Sequence, residues 1–318
     1  MSSRGPLSES QRRFLPYIAF TGLGLIWGAS FLFFKLGVQD MSPAVLVFIR
    51  AASGAAALAV IMKLTGRSLF GGQLRSRLVL FAFMGVFNNL IPWVAIAWGE
   101  QTISSGLASI LNSTTTLWTA IFIVFAIPIE RPSLLNYAGV LIGIAGVVIL
   151  VIPDIGTHGL SGNALGALAV VGASMSYAVS ALYQRIKMRG LDVYQQTIGQ
   201  LSLASVIGLP LAVPTLSQTH VELVSMTAVL ALGVGGSGLA YLLYYYTMNT
   251  LGPVRATGVT FIVPITAVFW GFALLHESLS LPIVAGMVVI LVGVVLTNLR
   301  QRTAPSRQVV REHEEAAV

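Results

Sequence analysis

The sequence predicts an all-α membrane protein of ten transmembrane helices, built as two inverted five-helix repeats with both termini on the cytoplasmic side. Three observations carry this expectation. Hydrophobic residues make up 56% of the chain and charged residues 9%, whereas a soluble domain carries about 25% charged residues. Ten apolar stretches have the ~17–25 residues that a spanning helix requires. A block of the form E-x2-S-L-x3-A-G-x6-G-V-V runs from Glu130 to Val148 and recurs without a gap from Glu277 to Val295.

The ten stretches fall near residues 15–36, 43–62, 78–98, 104–127, 135–152, 163–184, 193–213, 225–248, 254–275 and 281–299. The first follows Arg12 and Arg13. It is too long for a signal peptide, and Trp27 with Phe31, Phe33 and Phe34 does not resemble a small-residue cleavage site. Arg50 lies well inside the second, about 10 Å from its outer end at 1.5 Å per residue counted from Pro43. It is read either as an anchor for a substrate carboxylate or as a structural partner of a carbonyl or of Glu100. Lys35, near the outer end of the first span, is expected to snorkel.

Polar groups in hydrocarbon are costly and usually face a bundle interior or a wet cavity. Five spans carry them at helical spacing: Asn89, Trp93 and Glu100 with Asn88 in the third, Asn112, Thr116 and Thr119 in the fourth, and Tyr177, Ser180 and Gln184 in the sixth. The eighth has Ser237, Tyr241 and Tyr244, and the ninth Thr257, Thr260 and Pro264. Trp27 and Ser30 sit mid-span in the first. A serine or threonine can bond its own helix. The amides of Asn88, Asn89 and Asn112 cannot satisfy themselves in lipid. Pro92 and Pro264 are expected to interrupt spans three and nine, and the run Gly233–Gly238, with Gly235 and Gly236 at its centre, to loosen span eight. Such breaks either free carbonyls for a ligand or only shape packing. The fifth and tenth spans, with Gly139, Gly143, Gly146, Gly286 and Gly293, read as scaffold whose small residues permit close helix approach.

Five spans per copy is odd, so the second copy enters the membrane from the opposite side. Residues 1–14 are then a cytoplasmic segment, 15–152 the first repeat, 153–162 an extracytoplasmic linker, 163–299 the second repeat and 300–318 a disordered cytoplasmic tail. Charge agrees: every Lys and Arg except Lys35 and Arg50 lies on the side assigned to the cytoplasm, while Asp40, Glu100, Asp154, Glu222 and Glu277 lie opposite.

The short links leave no room for a soluble catalytic or nucleic-acid-binding domain. The chain has no cysteine, and its four histidines lie in turns or the tail, so no metal site or cofactor is expected. No carboxylate lies mid-span, and there is no phosphate loop for an ATP motor.

Trp27-Gly28-x-Ser30, Arg50, the doubled Glu130 and Glu277 block, and Pro264 ahead of the Glu277 turn together resemble the EamA-type members of the drug/metabolite transporter superfamily. The resemblance covers residues 15–299. It implies ten helices in a basket whose central cavity is lined by spans 1, 3, 4, 6, 8 and 9, and a bacterial inner-membrane carrier, not an enzyme, that exports amino acids or similar polar metabolites by alternating access. The expected cavity residues are Trp27, Ser30, Asn88, Asn89, Trp93, Asn112, Thr116, Tyr177, Ser180, Ser237, Tyr241 and Tyr244, with Arg50 as a candidate charge anchor and Pro92, Gly235, Gly236 and Pro264 as bending points. Trp27, Trp93 and Tyr241 are expected to offer cation–π surface to an ammonium. Partners are a small-molecule substrate and membrane lipid, and the working unit a monomer. The alternative is a lipid scramblase or other membrane-embedded non-carrier protein. The sequence departs from the pattern in two places: Leu117 stands where the second copy has Pro264, and span 1 lacks the acid of small multidrug relatives.

Overall fold

Lipid offers no hydrogen bonds to a bare backbone, so a chain this apolar must close its own amides within each segment. In the computed structural model, which describes residues 9–69, 74–126, 133–158, 163–219, 221–251 and 258–299, every regular element is accordingly helical. Helix α1 spans Glu9–Gly37 and α2 Pro43–Leu64. Helix α3 (Leu74–Met84) passes through a π-helical turn, Gly85–Leu90, into α4 (Ile91–Gly99). Then come α5 (Ser105–Asn112), α6 (Thr115–Ala126), α7 (Leu134–His158), α8 (Asn163–Lys187) and α9 (Val193–Ala212), which ends in a 3-10 turn, Val213–Gln218. Helix α10 (Leu223–Ala231) passes through a second π-helical turn, Leu232–Leu239, into α11 (Ala240–Leu251), followed by α12 (Val259–Leu275) and α13 (Leu281–Asn298).

Among the described residues, nine helical segments are long and apolar enough to cross a membrane. The remaining apolar helix, Val259–Leu275, has 17 residues. Starts are set by local chemistry. Ser42 caps α2 by accepting from the Val45 N–H, with Pro43 at the first helical position, and Ser104 and Asp192 cap α5 and α9 in the same way. Gly66 and Gly190, both at positive φ, stand just beyond α2 and α8.

Two expected boundaries move. Helix α1 begins at Glu9 rather than after residue 14, and α7 continues through Pro153 to His158, into the stretch expected to be linker. The sequence marked where apolarity ends; a helix can run on past the lipid with its backbone still bonded. Glu130, Arg131, Arg255, Thr257, residues 159–162 and the 300–318 tail lie outside the described residues.

Helix α2 packs along α9 and against the second π-helical turn; α4 and α6 pack on α8; α1 packs on α10, α11 and α12. Helices α7 and α13 form the most intimate pair. A Cβ on Gly293 would stand 2.5 Å from the Gly143 nitrogen, and one on Gly139 would stand 2.6 Å from the Thr297 nitrogen. Only glycine permits that approach. The seam nevertheless holds a polar side chain, where the sequence reads as apolar scaffold. Asn136, at the start of α7, is buried and donates to the Thr297 and Leu299 carbonyls at 2.7 and 3.1 Å, satisfying the end of α13.

Candidate functional site

Three walls of the bundle centre are built from helices that lose their regular hydrogen bonding at mid-depth, and each loss has a local cause. Pro92 has no N–H to offer the carbonyl four residues back, and the π-helical turn Gly85–Leu90 lies directly before it. The glycines between Gly233 and Gly238 build the second π-helical turn. Between α5 and α6 the helix gives way at Ser113 and Thr114, a break not foreseen. Its signal is the run Asn112-Ser113-Thr114-Thr115-Thr116. Ser113, Thr114 and Thr115 each donate their hydroxyl to a carbonyl three residues back, at 2.6, 2.7 and 2.8 Å. Such bonds compete with the helix ladder.

Facing helices satisfy the freed carbonyls. Ser174 of α8 donates to Leu111 and Asn112 at 3.2 and 3.3 Å, and Ser176 to Phe87 at 2.7 Å. On the other side, the Trp27 indole of α1 donates to the Gly236 carbonyl at 3.3 Å. Pro264 behaves differently from the expectation of an interruption: α12 runs through it unbroken, because it lies close enough to the helix start that little of the ladder precedes it.

Between these walls lies a cavity of about 350 Å³. Of the expected residues, Trp27, Ser30, Arg50, Asn88, Trp93, Asn112, Thr116, Tyr177, Ser237, Tyr241, Gly236 and Pro264 line it. Asn89, Ser180, Tyr244, Pro92 and Gly235 are not in the lining. Asn89 is fully buried and donates to Gln200 of α9 at 3.4 Å, because the extra residue of the π-helical turn rotates Asn88 rather than Asn89 toward the cavity. Ser180 donates to the Asn88 side-chain oxygen at 2.9 Å, while Asn88 donates to Gln200 at 2.9 Å. Both therefore act by orienting Asn88. Tyr244 packs behind Trp27, ring centroids 5.5 Å apart. Sequence reasoning missed Phe31, Phe34, Ile96, Ser109, Ser113 and Thr115 in the lining. It also missed Gln200 of α9, although Gln196 and Gln200 stand one helical turn apart in that span.

Arg50 dominates the electrostatics of the cavity. It is buried, its Nε donates to Ser237 at 3.3 Å, and its guanidinium stands 3.7 Å over the Trp93 ring and 4.8 Å from that of Phe34. Among the described residues no carboxylate is within ion-pair distance of it; the ion pair found there is Arg67 with Asp192, 3.7 Å apart and exposed. Pairing of Arg50 with Glu100 is thus set aside. Trp93 is also taken, since Arg50 occupies the ring face expected to meet an ammonium. Two buried acceptors, Asn112 Oδ1 and Ser109 Oγ, have no hydrogen-bond partner among the described residues, and both residues line the cavity. The site therefore offers a cation without a counter-ion, unfilled polar atoms and aromatic walls. That is binding equipment for a small molecule with an acidic and a polar end.

Just beyond one end of the cavity, Lys35 does not snorkel. Its ammonium donates to the carbonyls of Glu100 and Ile103 at 2.5 and 2.8 Å, neutralising the end of α4. Glu277 accepts from the Ser105 N–H at 2.7 Å, the Ser105 hydroxyl at 3.0 Å and the Gly106 N–H at 3.2 Å, at the start of α5.

Comparison with known proteins places this architecture. Residues 15–152 and 164–299 each match the model of the EamA-like transporter family. The chain is 28% identical over 307 residues to YedA of Escherichia coli K12, named an uncharacterized inner membrane transporter, covering 94% of this chain and 96% of YedA. It is 23% identical to the uncharacterized transporter YoaV of Bacillus subtilis, over 86% of this chain and 93% of YoaV. A solved crystal structure, described only as that of a protein, aligns with a TM-score of 0.61 at 20% identity, over 92% of this chain and 98% of the other; that likeness shows the fold alone. A polytopic helical membrane transporter is thus the class the fold and matches define. The chain belongs to the EamA-like transporter family, and its described helices include nine segments long and apolar enough to cross a membrane.

Proposed function

We propose that this protein is a secondary transporter, without catalytic activity, that exports amino acids or similar small polar metabolites by alternating access through the central cavity. The observation that carries this is Arg50: a buried guanidinium without a carboxylate partner among the described residues, lining a cavity of about 350 Å³. A buried cation without a counter-ion is costly, and a substrate carboxylate at Arg50 supplies one. An ammonium or hydroxyl on the same substrate fits the unfilled acceptors Asn112 Oδ1 and Ser109 Oγ, with Trp27 and Tyr241 enclosing the remainder.

Alternating access is supported by the way the halves pack. Helix α8 of the second half packs on α4, α5 and α6 of the first, as α1 of the first packs on α10, α11 and α12 of the second; α2 with α9 and α7 with α13 complete the pattern. Such reciprocal packing supports the reading of ten spans in two inverted five-helix repeats, 15–152 and 163–299. The basic residues Arg67, Arg77, Arg185, Lys187 and Arg189 support the reading that their end faces the cytoplasm.

The test is counterflow of radiolabelled amino acids in proteoliposomes, wild type beside Trp27→Ala. The expected result is saturable exchange by the wild type and about tenfold weaker apparent affinity in the variant. Absence of exchange for every amino acid removes this substrate class. Flip-flop of fluorescent phospholipid in the same vesicles, without solute exchange, points to a scramblase instead.

A further inference from the structure

Glu100 closes α4 one residue beyond the span that ends at Gly99. It is completely buried, and no group among the described residues donates to either carboxyl oxygen. Its surroundings explain why it stands alone. Lys35, the cation facing it from α1, spends its hydrogen bonds on carbonyls. Glu277, the acid facing it from the α12–α13 turn, holds the donors at the start of α5. Across from it α8 presents Gly166 and Val170 to Gly99, with no titratable side chain. The other acid at this end, Asp40, accepts from Ser225 on α10. An ionised carboxylate with neither oxygen paired is unstable in such a site and takes up a proton. Burial accordingly pushes the Glu100 carboxyl well above the usual carboxylate range; Lys35 pulls the other way and Glu277 adds to the rise.

Position gives this proton a task. Ile96, Phe31 and Ser109 line the cavity. One helical turn further toward the same end, their helices carry Glu100, Lys35 and Ser105. We propose that Glu100 is a proton-binding site that latches this end of the cavity shut. Its carboxyl is neutral while the end is closed. As the end opens, the O–H bond breaks and the proton passes to water on that side, leaving a hydrated carboxylate. Glu100 is not part of the cavity lining, so the proton exchanges with its own end and sets the gate equilibrium. Because the closed form has the higher affinity for the proton, it is favoured in acid. That preference fades as pH rises above the ordinary carboxylate value of 4.5 and through the raised one.

The inference rests on the cavity opening in turn at its two ends, as proposed above. Its test needs no substrate, so failure to transport amino acids leaves it standing. The chain has no cysteine, which allows Ser113→Cys in the cavity lining to be labelled with a membrane-impermeant maleimide from the Glu100 side. The rate is divided by that of exposed Gln39→Cys at the same end, which removes the thiol's own pH dependence. The ratio is expected to climb as pH rises above 4.5, by at most about tenfold per pH unit since one proton is released. In Glu100→Gln it stays low and flat, and in Glu100→Asp the climb persists. A flat wild-type ratio, or the same climb in Glu100→Gln, overturns the proposal. If Glu100→Gln does not fold, Glu277→Gln decides: removing that charge moves the climb to lower pH, and an unmoved midpoint overturns the latch.

Discussion

The α7–α13 seam and the second π-helical turn in the cavity wall are both rich in glycine, yet they do opposite things. In the seam the glycines bring two regular helices into backbone contact, and a Cβ on Gly293 would meet the Gly143 main chain at 2.5 Å. In the walls the glycines of Leu232–Leu239 loosen one helix, and a Cβ on Gly235 would meet nothing within 4 Å. Glycine content alone does not distinguish scaffold from moving part. What distinguishes Gly293 from Gly235 is whether the missing Cβ is replaced by a neighbour's backbone or by open space; a Cβ on Gly233, in the same turn as Gly235, would stand 2.7 Å from the Arg50 carbonyl oxygen.

The same substitution at the two sites breaks the comparison most sharply. Gly293→Ala is expected to destabilise the fold by about 3 kcal/mol, because a rigid main chain must shift; the readout is the midpoint of thermal unfolding in detergent, and an unchanged midpoint means the seam is not packed this closely. Next in size, Arg50→Gln keeps the walls but removes the charge, and is expected to weaken substrate binding by about 2 kcal/mol, some thirtyfold, in counterflow with the unfolding midpoint nearly unchanged. A loss of folded protein instead assigns Arg50 to structure. The smallest effect on stability is expected for Gly235→Ala, within about 0.5 kcal/mol, because the new methyl group enters open space. A slower exchange rate with stability intact identifies the second π-helical turn as mobile during transport, whereas a shift as large as that of Gly293→Ala erases the distinction.

Much of this was legible in the sequence because lipid leaves few options. Apolar length and the doubled Glu130 and Glu277 block indicate membrane helices, and mid-span Asn88, Asn112 and Tyr177 point to the cavity they line. The errors arose where backbone register changes. A strict count of 3.6 residues per turn puts Asn89 on the face of Trp93; one π-helical turn puts Asn88 there and sends Asn89 to Gln200. The α5–α6 break was hidden because serine and threonine read equally well as helix interior. The fate of Trp93 was invisible for another reason: its partner, Arg50, is a neighbour only in the tertiary structure. The fully buried state of Glu100 likewise depends on α1 and α8 closing over the end of α4.

The second π-helical turn has one more implication. A π turn holds one residue more than the α turn it replaces, and such a bulge can travel along a helix by handing its hydrogen bonds to the next residue. The residues it passes turn by about 100°, while those further along keep their place. Tyr241 lies just past the turn, and Trp27 and Arg50, both from the other half, bond to Gly236 and Ser237 within it. Only a bulge that moved past Tyr241 would swing that side chain off the cavity wall, and in leaving Gly236 and Ser237 it would also loosen their bonds to Trp27 and Arg50. A cysteine at position 241, followed by its labelling rate with and without substrate, reads that rotation directly; a rate that never changes means the bulge stays where it is.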